Sequence, residues 1–224
     1  MMSRVIVFDV NETLLDLRAL EPHFRRVFGD VAVVQTWFAQ VLQSALVATV
    51  TDVYMDFGTI GGEALDITVS RLGVDLSPDD RADILGGMLT LPPHAEVPES
   101  LARLRDAGLR LATLTNSTEG AARTQLTNVG LIDCFERVLS VEAVRRFKPA
   151  PETYRMAAER LGVEIDQIRL VAAHDWDVAG ALRVGCAAAF IARPGMVLGP
   201  SAERPDIIGK DLGEVTDQIL EVEV

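Results

Sequence analysis

The sequence predicts an α/β fold: a parallel β-sheet with helices on both faces, opened after its first strand by a long helical insertion. Three observations carry this expectation. Val5-Ile6-Val7-Phe8 is a short, unbroken apolar run rich in β-branched residues, as in a strand buried on both faces. From there to Leu91 the chain shows helical spacing and no strand-like alternation. From Val97 onward strand and helix patterns alternate, as in repeated βαβ units.

The first strand stops at a carboxylate, Asp9, and open α/β sheets hold ligands just beyond the carboxyl ends of their strands. The alternative is that Asp9 only caps a turn. After Thr13 a helix is expected near Ala19–Phe28, with Pro22 in its first turn. The next helix, Val31–Thr51, carries no charge and is long enough to raise the question of a membrane span. However, Gln35, Gln40, Gln43 and Ser44 fall on one side of a helical wheel, and Val34, Trp37, Phe38, Val41, Ala45 and Ala48 on the other. It reads as a soluble amphipathic helix facing a cleft or another subunit. A third helix covers Ile60–Leu72 and stops at Gly73, and a fourth starts after the N-cap Ser77 with Pro78 at its first position. Pro92-Pro93 closes the insertion. Residues 15–92 are thus expected to form a helical cap domain, and residues 1–14 with 93–224 the core domain.

In the core, Pro98–Ala107 is a helix and Leu109–Leu114 a strand ending in Thr115-Asn116-Ser117. A helix then runs to Val129, and a short strand follows at Arg137–Ser140. The next helix starts at Pro149-Ala150-Pro151 and ends at Leu161. The strand Ile168–Ala173 ends in His174-Asp175-Trp176-Asp177, a helix reaches Val184, and Ala187–Ala192 is the last central strand.

Composition narrows the partners. A formal net charge of −12 over 224 residues argues against nucleic acid or an anionic membrane as the main partner. Cys134 and Cys186 have neither metal-ligand nor redox spacing, and two reduced, buried thiols in a cytoplasmic protein are expected. Met1-Met2-Ser3-Arg4 leads straight into the first strand, with no apolar stretch of the signal-peptide kind.

On this fold the polar residues at strand ends converge: Asp9, Thr115, Asn116, Asp177, and Lys148 in Phe147-Lys148-Pro149. A helix expected beside Ser117 would offer free N–H groups to an anion. A nucleophilic carboxylate, a Lys, a hydroxyl, an amide and a second carboxylate around one cleft fit covalent catalysis. Taken singly, Thr115 or Asn116 could cap a helix, Lys148 could be solvated, and Asp177 could be an N-cap.

The order Asp9-x-x-x-Thr13, Leu114-Thr115-Asn116, Lys148-Pro149 and Asp177 resembles the haloacid dehalogenase superfamily. Within it the chain is similar to the L-2-haloacid dehalogenases, including at Tyr54-Met55-Asp56-Phe57, Glu96-Val97-Pro98, Leu139-Ser140-Val141 and Trp176-Asp177. The resemblance implies a Rossmann-like core with an inserted helical cap, and a metal-independent hydrolase of small (S)-2-haloacids giving (R)-2-hydroxyacids. It implies Asp9 as the nucleophile at C2, supported by Thr13, with Lys148 orienting it. Asp177 would help water hydrolyse the ester, and Asn116 would face the halide. Thr115 and the N–H groups of Val10 and Asn11 would hold the substrate carboxylate, and Leu42, Phe57 and Trp176 match apolar pocket positions or the core. No cofactor or metal is implied, and a homodimer using part of the cap is expected.

Phosphatases of the superfamily carry an acid two residues after the nucleophile and acidic Mg²⁺ ligands after the fourth strand. Here those positions are Asn11 and Ala173, although Asp175 could supply an oxygen. A halide leaves as a stable anion and needs no proton. A Mg²⁺-dependent phosphatase and a non-catalytic member remain the alternatives. The family's halide-binding Arg, just after a Trp on the first long cap helix, is replaced by Phe38. Ala172 and His174 stand where a Ser and an Asn are usual. His174 is either a loop-holding residue or a partial substitute for the Arg.

Overall fold

A computed structural model describes residues 4–224. Six strands form one sheet: β1 (Val5–Phe8), β2 (Leu111–Thr115), β3 (Arg137–Ser140), β4 (Ile168–Ala172), β5 (Ala187–Ile191) and β6 (Ile207–Gly209). Their order is β3-β2-β1-β4-β5-β6, and every neighbouring pair is parallel. Val7 of β1 aligns with Ala112 of β2 on one side and Leu170 of β4 on the other. All four residues of β1 are buried, which is why that strand is a continuous apolar run. The chain moves outward from β1 to β2 and β3, then crosses back to lay β4 on the opposite side of β1. Strand order therefore reverses between β1 and β4, the place where open parallel sheets hold ligands.

Between β1 and Pro92-Pro93 lie four α-helices: α1 (Glu21–Phe28), α2 (Val33–Val50), α3 (Phe57–Leu72) and α4 (Pro78–Gly87). On α2 the buried residues are Val34, Trp37, Phe38, Val41, Ala45 and Ala48, the face its spacing predicts. The Trp37 indole donates to the Gly61 carbonyl on α3 at 3.0 Å. By length and composition alone α2 could cross a membrane, yet its apolar face is spent on α3 and on Phe24 and Phe57. Ser77 caps α4 by accepting from the Asp80 N–H at 3.1 Å, ahead of Pro78 at the first helical position.

The core helices are α5 (Val97–Asp106), α6 (Glu119–Asn128), α7 (Pro151–Leu161), α8 (Asp175–Val184) and α9 (Leu212–Glu223). Sequence patterning anticipates neither β6 nor α9. Ile207-Ile208-Gly209 is too short to register as a strand, and it forms because the Ile191 end of β5 offers it an edge. α9 then buries Leu212, Val215 and Ile219. Two further expectations are corrected. Of the two free thiols only Cys186 is buried, since Cys134 lies in a surface turn before β3. Helix α6 starts at Glu119, capped by Thr118, so neither Thr115 nor Asn116 is its cap and its first N–H groups lie beyond Ser117.

Candidate active site

Asp9 leaves β1 with its N–H donating to the Val171 carbonyl of β4 at 3.0 Å, which fixes it at the strand-order reversal. The backbone N–H groups of the next two residues, Val10 and Asn11, have no hydrogen-bond partner among the described residues. They are free donors beside a carboxylate. Thr13 Oγ1 donates to Asp9 Oδ2 at 2.7 Å and accepts from the Ala173 N–H at 3.0 Å, tying the turn after β1 to the end of β4. Lys148 Nζ donates to Asp9 Oδ1 at 2.8 Å, to Asp177 Oδ2 at 2.6 Å and to the Leu114 carbonyl at 2.9 Å. Asn116 Oδ1 accepts from the Lys148 N–H at 3.0 Å, positioning the backbone that carries the ammonium.

The ammonium occupies the space between Asp9 and Asp177, so the cation balancing these carboxylates is the chain's own. Among the described residues no three His, Cys, Asp or Glu side chains gather as a metal-ligand set. Burial alone would push the Asp9 carboxyl up, but the Lys148 ammonium and then the His174 ring outweigh it and hold it well below the usual carboxylate range. Burial likewise opposes the charged form of Lys148, and Asp177 with Asp9 raises it regardless. Asp177 is fully buried, and that burial leaves its carboxyl raised despite Lys148. Its second oxygen accepts from the Tyr154 hydroxyl at 2.6 Å. Asp177 lies inside the first turn of α8 and is not its N-cap.

Two cavities adjoin this cluster. One, about 250 Å³, is lined by Ala39, Leu42, Asn116, Lys148 and Trp176. The other, about 330 Å³, shares Ala39, Leu42 and Trp176 and adds Glu12, Phe38 and His174. Leu42 and Trp176 are thus pocket residues. Phe57 lines a separate space with Ser117 and Gln125, and packs on Phe38 and Phe147. Thr115 is buried, and its hydroxyl accepts from the Ser117 N–H at 3.2 Å. The Asn11 side chain is turned away from the cavities: its amide donates to Ser117 Oγ at 3.2 Å and its carbonyl accepts from Gln125 at 3.0 Å.

The haloacid dehalogenase-like hydrolase family matches residues 3–185, a span that contains every residue of this site. The chain belongs to that family. This dehalogenase-like hydrolase is 30% identical over 203 residues to an (S)-2-haloacid dehalogenase of Pseudomonas sp. (strain YL), covering 90% of this chain and 88% of the relative. It is 31% identical over 195 residues to an (S)-2-haloacid dehalogenase of Xanthobacter autotrophicus, covering 86% and 76%. A solved L-2-haloacid dehalogenase of Xanthobacter autotrophicus superposes with a TM-score of 0.91 at 28% identity, covering 99% of this chain and 100% of the other. A second structure of that enzyme, with chloropropionic acid covalently bound, also has a TM-score of 0.91, at 27% identity and with coverage of 99% and 100%.

Two site residues of this dehalogenase-like hydrolase are not apparent from its sequence. Tyr154 reaches Asp177 only because Gly180 lies beside it: a Cβ on Gly180 would sit 2.5 Å from the Tyr154 hydroxyl and 2.5 Å from Pro149 Cβ. No local pattern encodes that contact. Glu12 is buried at a backbone φ of 62°, and its carboxylate is 2.9 Å from His174 Nε2. His174 stacks on Trp176 with ring centroids 4.9 Å apart. Its Nδ1 is 3.3 Å from Asp9 Oδ2, an ion-pair contact. Burial opposes protonation of the ring, yet Asp9 and Glu12 push it up to about 10. The two carboxylates favour the protonated imidazole.

Proposed function

We propose that this chain hydrolyses the carbon–halogen bond of small (S)-2-haloacids, giving (R)-2-hydroxyacids through an ester on Asp9. The observation that carries the reading is the Asp9 carboxylate itself. It is ionised, held on both oxygens by Lys148 and Thr13, and set beside free N–H donors in a fold shared with 2-haloacid dehalogenases along its whole length. Lys148 keeps Asp9 charged and aimed, as an in-line displacement requires. The N–H groups of Val10 and Asn11, with Thr115 behind them, receive the substrate carboxylate. Asn116 and the apolar walls of Leu42 and Trp176 receive the halogen. A Phe38 ring packed on Trp37 and Phe57 offers no charge to the leaving group, and across the same cavity His174 does.

Residues 15–92 form the cap in this reading, and residues 1–14 with 93–224 the core. The protein works in the cytoplasm, without metal or cofactor. It works as a homodimer, joined through the apolar residues Val47, Val50 and Val53, which α2 and the turn after it leave exposed.

The test is a halide-release screen over both enantiomers of fluorinated, chlorinated and brominated short 2-haloacids, with Asp9→Ala as control. Release from the (S) enantiomers by wild type alone is expected, and it should survive exhaustive chelation. No halide from any acid, combined with Mg²⁺-dependent phosphate release from an aryl phosphate, would overturn the reading.

A further inference from the structure

Lys148 is suspended between two parts of the molecule. Its Nζ donates to Asp9, to Asp177 and to the Leu114 carbonyl. An ammonium has three donors, so none is left over, and a shift of the Lys148 backbone breaks one of these bonds. Whatever holds that backbone therefore bears on the nucleophile. On the core side Asn116 Oδ1 accepts from the Lys148 N–H. On the other side the three residues before the lysine are held by residues 49–57, the end of α2 and the turn into α3. The Phe147 N–H donates to Thr49 Oγ1 at 3.0 Å, and Arg146 Nη1 donates to the Thr49 carbonyl at 3.0 Å. The Phe147 ring packs on Tyr54 and Phe57, with centroids 5.4 Å and 6.0 Å away. The Arg145 guanidinium lies 5.0 Å over the Tyr54 ring, and its backbone is left-handed, with a φ of 53°. A non-glycine residue keeps such a backbone where its surroundings impose it.

The end of α2 is suited to this contact. Threonines in helices commonly bond the carbonyl four residues back. Thr51 does so with Val47 at 2.8 Å, and Thr68 with Ala64 at 2.8 Å. The Thr49 hydroxyl instead accepts from Phe147, across 98 residues of chain. The last carbonyls of a helix have no partner within it. In α2 the Val47 carbonyl accepts from the Thr51 N–H and the Ala48 carbonyl from the Val53 N–H, while the Thr49 carbonyl takes the Arg146 guanidinium. A cation is favoured at that end of a helix dipole, and Asp52 and Glu152 stand 3.5 Å and 3.6 Å from the same side chain.

We propose that Thr49 and Arg146 form a latch between the cap and the Lys148 loop, and that both are positioning residues for the Lys148 ammonium. This rests on the reading of Asp9 as the nucleophile and assigns two residues outside the cavities to its alignment. With the latch closed, Phe147 is held by the cap and Lys148 by the core, and the ammonium is fixed on Asp9. With the latch open, Asn116 alone holds the N–H side of the loop, and the three bonds of the ammonium are no longer enforced together. Docking of the cap thus does more than cover the substrate. It sets the aim of the attacking carboxylate.

First-turnover halide release from saturating (S)-2-chloropropionate, read well below each variant's melting point, tests this. Thr49→Val removes the acceptor at nearly constant volume and should slow release roughly tenfold or more, as small misplacements of reacting groups do. Inhibition by unreactive propionate should stay within about twofold of wild type, because the groups that receive the substrate carboxylate are untouched. Thr49→Ser keeps the acceptor and should restore the rate. Arg146→Met opens the latch from a half-exposed position, where unfolding is not at stake, and Arg146→Lys should recover most of what it loses. Thr51→Val is the control: it removes a hydroxyl bond at the same helix end without touching the Lys148 loop, and should leave the rate unchanged. A purely structural role would lower melting points and leave the rate of the folded enzyme alone. Wild-type rates in both Thr49→Val and Arg146→Met, or an equal loss in Thr51→Val, would overturn the latch while leaving the dehalogenase reading intact. A wild type that releases no halide from any acid would remove both.

Discussion

At the residue scale the chain has invested in five mutually compensating charges in a buried space: Asp9, Glu12 and Asp177 against Lys148 and His174. Removing one partner of such a group leaves its neighbours uncompensated, which costs more than the intact pair ever contributes. Lys148→Met should therefore lower stability by about 3–5 kcal/mol as well as abolish turnover. Urea unfolding at neutral pH measures the first and halide release the second; an unchanged unfolding midpoint would refute the electrostatic account. The histidine gives this stability a pH dependence of definite sign. A ring whose folded value is pushed up to about 10 from an ordinary 6.5 binds a proton that the unfolded chain releases. Its contribution is complete below about 6.5 and is lost as pH rises through about 10. Asp9, held low, acts in the opposite sense and contributes above its ordinary 3.8, losing effect as the medium becomes more acidic. Between about pH 6 and pH 10 wild type should therefore lose more unfolding free energy than His174→Asn, as read by urea titrations at both pH values. Parallel losses would show that the ring is neutral in the folded protein.

At the scale of elements, α2 illustrates how one helix serves two surfaces. Trp37 fills the junction of α1, α2 and α3, touching Phe24 and Phe38 and bonding Gly61. Trp37→Ala should cost about 3–5 kcal/mol in unfolding free energy, because the space left cannot close without moving a helix. The α7–α8 contact makes a sharper case, since it bears directly on the site. Ala at Gly180 would drive a methyl group into Pro149 and the Tyr154 hydroxyl, each only 2.5 Å from where its Cβ would sit. Gly180→Ala should displace Tyr154 from Asp177 and lower kcat more than Tyr154→Phe, which removes the hydroxyl without moving either helix. Equal kcat values for Gly180→Ala and wild type would show that α7 and α8 tolerate the separation.

At the scale of the whole molecule, the proposed homodimer rests on the exposed apolar residues of α2 and the following turn. Val50, at the end of the uncharged α2, is 85% exposed, and Val53 in the turn after it is 57% exposed. Sedimentation should give a dimer, and the double variant Val47→Lys, Val50→Lys should give a folded monomer. A monomeric wild type over a wide concentration range would assign that face to solvent. The covalent route is also a property of the assembled site. Single turnover in ¹⁸O-water should place label in Asp9 before any appears in the hydroxyacid, whereas label in first-turnover product alone would mean direct attack by water on C2.

How far the sequence reaches into this architecture depends on whether each feature has a local cause. The β1 run, the buried face of α2 and the Ser77-Pro78 start of α4 each follow from spacing or capping within a few residues, and each is legible in the amino-acid order alone. The gathering of Asp9, Asn116, Lys148 and Asp177 is legible too, because parallel strands deliver their carboxyl ends to one edge of a sheet. Strand β6 is not, since three residues pair only if a neighbouring edge is waiting for them. Nor are the partners that decide what each group does. Tyr154 meets Asp177 across two packed helices, and Glu12 meets His174 across 162 residues of chain, where β1 and β4 end side by side. Sequence spacing fixes which chemical groups reach the edge of the sheet. Protonation, hydrogen-bond partners and access to a cavity depend on burial and on neighbours distant in sequence, and only tertiary packing supplies those.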